Sequence, residues 1–163
     1  MNLCRDAEAS GSLDSDCTQC VWTLESLATT KSLGQHLAGQ LPSGSILLLK
    51  GPLGAGKTSL VQGLALACGI TEAITSPTFA LAQHYPDGNP PLVHLDLYRL
   101  DAPGSADELF LQEEEEARAM GALMAVEWPE RLRLELPDTW RLELHHAGDG
   151  RRAQLTLPRK RST

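Results

Sequence analysis

Two periods of apolar and polar residues run along this chain, and their order sketches a fold. Val21-Trp22-Thr23-Leu24 is a short run suited to a first strand. Leu33, Leu37 and Leu41 recur at the spacing of one helix face, and Pro42 ends that helix. Ile46-Leu47-Leu48-Leu49 is continuously apolar between Ser-Gly and Gly-Pro. A strand covered on both sides looks like that, as in a parallel sheet flanked by helices. Leu60, Val61, Leu64 and Cys68 mark a second helical face, with Gly69 placed to cap it.

Leu92 to Leu97 is the next predicted strand, and Asp107 to Met120 a helix stopped by Gly121. Ala122 to Val126 is a further buried-type run, halted before Pro129. Trp140, Leu142 and Leu144 then alternate with Arg141, Glu143 and His145, and Ala153, Leu155 and Leu157 alternate likewise. Gly148-Asp149-Gly150 between them is a hairpin signal. Parallel βαβ units therefore come first and an antiparallel hairpin closes the chain. The expectation is an α/β fold, a sandwich with a mixed sheet and a C-terminal β-hairpin.

Composition narrows this further. The chain has 163 residues, 42% hydrophobic and 21% charged, which suits one globular domain with its own core. Its formal charge of −7 disfavours a direct grip on a phosphate backbone. Three Trp, two Tyr and two Phe leave little for a base-stacking platform. No apolar run approaches the roughly 18 residues that span a bilayer, and no basic-then-apolar leader stands at the start. The expectation is a cytoplasmic protein with no membrane partner. Residues 1 to 20 are polar and read as a disordered extension, 21 to 158 as a single domain and 159 to 163 as a tail. Cys17-Thr-Gln-Cys20 is a CxxC with no second ligand pair, so Cys4, Cys17 and Cys20 read as reduced, incidental thiols of that extension.

The chemistry concentrates in Gly51-Pro-Leu-Gly-Ala-Gly-Lys-Thr58, a full match to GxxxxGK[ST] between a buried strand and an amphipathic helix, which makes the expected α/β fold a P-loop NTPase-like three-layer sandwich. Chance would supply such a match in roughly one chain of this length in a hundred. Glycines let successive backbone N–H groups turn inward on phosphate oxygens, and the helix N-terminus adds partial positive charge. Gly51, Gly54, Ala55 and Gly56, with Lys57, Thr58 and Ser59, form the candidate nucleotide-binding set. Lys57 would reach the β- and γ-phosphates and the Thr58 hydroxyl would hold Mg²⁺. A second acid is needed at a strand end, and two are on offer: Asp96 after Leu92-Val-His-Leu95, and Glu127 after Ala122 to Val126. If both strands flank the loop strand, one carboxylate serves the metal and the other orients water. Thr78, in Ser76-Pro-Thr-Phe79, stands where a γ-phosphate-sensing switch threonine is expected.

These strings, together with His94-Leu-Asp-Leu-Tyr-Arg-Leu100 and Val126-Glu-Trp-Pro129, resemble in order and spacing the TsaE (YjeE) family over about residues 22 to 157. The resemblance implies a small Mg²⁺-dependent ATPase needed to make threonylcarbamoyladenosine in tRNA. It implies work beside the transferase TsaD and its paralogue TsaB, without performing the transfer, and contact with tRNA only through those partners. It also implies that Thr58 and Glu127 hold Mg²⁺, that Asp96 acts in hydrolysis and that Thr78 is switch-like. Trp128 and Gly150 match family residues near the nucleotide. Pro52 departs from an acid common there, and the first twenty residues have no counterpart.

Several residues keep two readings. His94 shares a strand face with Asp96 and could orient that carboxylate, touch phosphate or only pack. Arg99 could pair with phosphate, partner acids or a local carboxylate. Glu113 to Glu116 reads as a solvated helix face, and His145-His146 as structural. A small-molecule kinase and a scaffold without useful turnover are the competing functions. The kinase is disfavoured because only Arg99 and Arg118 lie between Asp96 and Glu127, too few for an arginine-bearing lid.

Overall fold

The computed structural model describes residues 18–77 and 81–158. The expectations for the extension through Cys17, for Thr78 and for the tail from residue 159 lie outside those residues. Among the described residues seven strands form one mixed sheet: β1 (Gln19–Leu24), β2 (Ile46–Lys50), β3 (Ala82–Tyr85), β4 (Leu92–Asp96), β5 (Leu123–Glu127), β6 (Trp140–Ala147) and β7 (Gly150–Thr156). Their spatial order is β1-β7-β6-β2-β5-β4-β3. β2 runs parallel to β5 and β6, and β4 parallel to β5. Both edges are antiparallel, β1 against β7 and β3 against β4.

Three α-helices cover the sheet among the described residues: α1 (Leu27–Gln40), α2 (Lys57–Ala67) and α3 (Ser105–Met120). Alternation within each central strand sorts side chains to two cores. Leu47, Leu49, Leu92, Leu123 and Ala125 face α1 and α2, which contribute Leu33, Leu37, Leu60 and Leu64. Leu48, Val93, Leu95, Met124 and Val126 face α3, which contributes Ala106, Phe110 and Ala117. The continuous apolar runs are thus strands covered on both sides, as their sequence predicts. The C-terminal hairpin turns at Gly148-Asp149, with Ala147 paired to Gly150.

α1 and α2 touch backbone to backbone through a pair of glycines. A Cβ on Gly34 would lie 2.2 Å from the Leu60 carbonyl oxygen, and one on Gly63 2.0 Å from that of Lys31. No side chain fits between the helices there. This close approach draws α2, and the loop before it, against α1.

Four expectations are corrected. β1 starts at Gln19, inside the stretch expected to be an extension, because Cys20, Trp22 and Leu24 alternate inward on it. Cys20 is buried and disulfide-bonded rather than an incidental reduced thiol. Glu113 leaves the solvated acidic face: it is buried against His84 of β3, and its carboxylate hydrogen-bonds the imidazole. β3 itself was not expected, since Tyr85 alone of its four residues is buried and its pattern carries no alternation. Cys68 remains a free, buried thiol, and burial raises its pKa.

Gly63→Ala should lower stability by about 2 kcal/mol, because the added methyl must push α1 from α2. Urea unfolding measures it; an unchanged midpoint would show that the helices part without cost.

Candidate functional site

The loop between β2 and α2 is the centre of the site. Gly54 (φ +78°) and Gly56 (φ +105°) take the left-handed backbone that only glycine enters without a Cβ penalty. Gly56 is the N-cap residue of α2, and no side chain caps that helix. Its first N–H groups therefore keep their donors directed out of the helix end, as an anion site requires. Lys57, Thr58 and Ser59 form the first turn, and Thr58 and Ser59 are partly exposed.

Lys57 is 6% exposed. Its ammonium donates to the Gly51 carbonyl and, at 3.5 Å, to that of Pro52. It also lies 3.9 Å from the centre of the Trp128 ring, a cation–π contact. Burial lowers the Lys57 pKa, and the nearby carboxylates of Glu127, Glu130 and Asp96 partly restore it. A buried ammonium facing carboxylates at the mouth of a glycine-rich loop is poised to take a polyanion.

The two acids are neighbours, but they do not flank the loop strand as a pair. β5 lies beside β2, so Glu127 sits level with Leu49, whereas β4 is one strand further out. Asp96 and Glu127 are register partners. Glu127 is 3% exposed, and its Oε2 lies 2.6 Å from Nε2 of the buried His94. His94 thus engages Glu127 rather than Asp96. Asp96 is held by other groups: the Ser76 hydroxyl donates to Oδ2 at 2.6 Å and the Tyr98 N–H to Oδ1 at 3.0 Å. Ser76, the first residue of the Ser-Pro-Thr-Phe string, is thereby tied to the β4 acid.

Trp128 follows Glu127 in a left-handed conformation, φ 59° and ψ 52°. That turn sends its ring over Lys57 on one side, while Tyr98 packs against it with centroids 4.7 Å apart. Leu53, Asp96, Tyr98 and Trp128 line a cleft of about 180 Å³ together with Ser76 and Arg99. Gly150 is set apart from this cleft. A Cβ there would fall 2.4 Å from the Leu24 carbonyl, so the β1–α1 turn occupies its space. The next residue, Arg151, is one that sequence reasoning missed. Its Nε donates to the Ala55 carbonyl at 3.2 Å and its Nη2 to that of Gly54 at 3.1 Å, clamping the loop from β7. Its position after the hairpin glycine is the signal that could have found it. Glu143 and His145 pair on the exposed end of β6, and His146 is likewise exposed.

A parallel strand, a glycine-rich loop and a helix, with an acid ending the next strand, define a P-loop NTPase-like α/β sandwich. Comparison with known proteins gives the family. The family model "Threonylcarbamoyl adenosine biosynthesis protein TsaE" matches residues 24–154, and the chain belongs to the TsaE family. A tRNA threonylcarbamoyladenosine biosynthesis protein TsaE from Synechocystis is 51% identical over 113 residues, 67% of this chain and 69% of that protein. Its counterpart from Nostoc is 44% identical over 131 residues, 78% and 80% of the two chains. The crystal structure of YdiB from Bacillus subtilis superposes with a TM-score of 0.69 at 30% identity, covering 86% of each chain. Among the described residues no helix is long and apolar enough to cross a membrane.

Arg151→Ala should leave the fold intact but cost about 1 kcal/mol and speed amide exchange across residues 51–56. Unchanged exchange would show that the loop keeps its shape without the guanidinium.

Proposed function

We propose that this chain is the ATP-binding and ATP-hydrolysing member of the machinery that makes threonylcarbamoyladenosine in tRNA, working in the cytoplasm beside TsaB and TsaD. The observation that carries this reading is the convergence of Lys57, Glu127, Asp96 and Trp128 on one glycine-rich loop. The N–H groups of Gly54, Gly56, Lys57, Thr58 and Ser59 receive the phosphates. Lys57 exchanges the carbonyls of Gly51 and Pro52 for phosphate oxygens, a charge-assisted contact. Trp128, already beside that ammonium, borders the nucleotide, and Gly150 shapes the neighbouring turn so that Arg151 can brace the loop.

A hydroxyl and a buried carboxylate are a donor set that suits Mg²⁺, so Thr58 and Glu127 would hold it. The ion supplies neutralisation of charge on the phosphates when bound. Asp96, with both oxygens held, accepts a hydrogen bond from the attacking water and orients it. Thr78, two residues beyond Ser76, reports the state of the phosphates to the partner surface. Few arginines approach the loop, so the lone chain turns over slowly and TsaB–TsaD complete or fix the site. The charge of −7 keeps tRNA on the partners rather than on this chain.

Lys57→Ala should stay folded and lose about 100-fold or more of its ATP turnover. Phosphate release with and without TsaB–TsaD, and a gel shift with tRNA at ~150 mM salt, test the whole reading. Partner-stimulated turnover without tight tRNA binding is expected. Turnover indifferent to the partners, or submicromolar tRNA binding by the lone chain, would instead indicate a free-standing enzyme.

Glu127→Ala should raise the Mg²⁺ concentration needed for nucleotide binding, whereas Asp96→Ala should mainly lower turnover. Titrating Mg²⁺ against bound nucleotide in both variants separates them. A shift in Asp96→Ala alone would exchange the two roles.

A further inference from the structure

His94 is fully buried in β4, and nothing proposed so far uses it. Its Nε2 lies 2.6 Å from Glu127 Oε2, while its Nδ1 is buried with no hydrogen-bond partner among the described residues. An ionised carboxylate only accepts, so Nε2 carries the proton. The Nε2–H form satisfies this contact and strands no N–H at Nδ1. The sheet makes this contact possible. His94 is level with Ala125 and shares a face with it, and the small Ala125 side chain leaves room for the imidazole to lean toward Glu127, two residues on. Leu92, Leu123 and Leu49 on the same face show that an apolar residue would suit this core. An orphaned ring nitrogen in such a place costs stability and gains nothing by packing.

We infer that His94 is a positioning residue that fixes Glu127 for the metal: its Nε2–H holds the carboxylate in one orientation, in which it would ligate a divalent cation together with Thr58. This rests on Glu127 being a Mg²⁺ ligand. It also divides labour between the acids, because Asp96 takes its hydrogen bonds from Ser76 and the Tyr98 N–H and none from His94. A hydrogen bond to a ligating carboxylate commonly governs metal affinity by 10- to 100-fold. Disturbing His94 therefore acts on metal-dependent binding and leaves nucleotide binding without metal unchanged.

The test compares His94→Leu, which fills the space without a donor, with His94→Gln, whose amide N–H can reach the same oxygen. A fluorescent ATP analogue is titrated with Mg²⁺ and, separately, in EDTA. His94→Leu should raise the Mg²⁺ midpoint by about 10-fold, with unchanged binding in EDTA. His94→Gln should return the midpoint most of the way to wild type. In a Glu127→Ala background, His94→Leu should add no further shift. A wild-type midpoint in His94→Leu, with Glu127→Ala shifted, overturns the role of His94 alone. A wild-type midpoint in Glu127→Ala overturns the assignment of the metal ligand instead. If His94→Leu fails to fold, the imidazole ¹⁵N spectrum of the metal-free wild-type protein decides: an Nε2–H tautomer supports the inference, and an Nδ1–H tautomer overturns it.

Discussion

A lysine ammonium can be buried only where carbonyls, anions or an aromatic face receive it, and Lys57 imposes that requirement on everything around it. The carbonyls come from the curled loop before it, the ring from Trp128 and the negative charge from Glu127, Glu130 and Asp96. Each of these has its own support. The loop curl needs positive φ at Gly54 and Gly56, and Arg151 ties two of its carbonyls to β7. Trp128 reaches the ammonium only through a left-handed backbone. Glu127 is placed by the parallel pairing of β5 with β2. The charge cluster therefore links the loop, three central strands and the hairpin into one unit.

The two faces of the sheet carry different duties. On the α1–α2 face, ordinary strand alternation brings His94, Asp96, Ala125 and Glu127 into the same layer as the start of α2. On the other face α3 rests on Val93, Leu95, Met124 and Val126, and the His84–Glu113 pair joins it to the edge strand β3. The helix that follows the loop packs backbone to backbone on α1 at Gly34 and Gly63. Ser76 connects the segment leading to Thr78 with Asp96, which gives that segment a fixed point at the acid.

Local pattern was enough to read the glycine-rich loop, the doubly covered strands, three helices, the closing hairpin and both strand-end acids. Each of these is written in adjacent residues through periodicity, turn chemistry or a motif. It was not enough to say which strands are neighbours, because strand order is a property of long-range pairing and carries no local period. Only the tertiary structure decided that β5 lies next to β2 while β4 lies beyond it, which separates the surroundings of Glu127 from those of Asp96. The same reason hid the partners of His94, Arg151 and Glu113, which lie 33, 97 and 29 residues away. It also hid β3, an edge strand with one buried side chain, and the burial of Cys20, which depends on β1 pairing with the far end of the chain. The sequence determined which groups could do chemistry; packing across the sheet decided which of them meet.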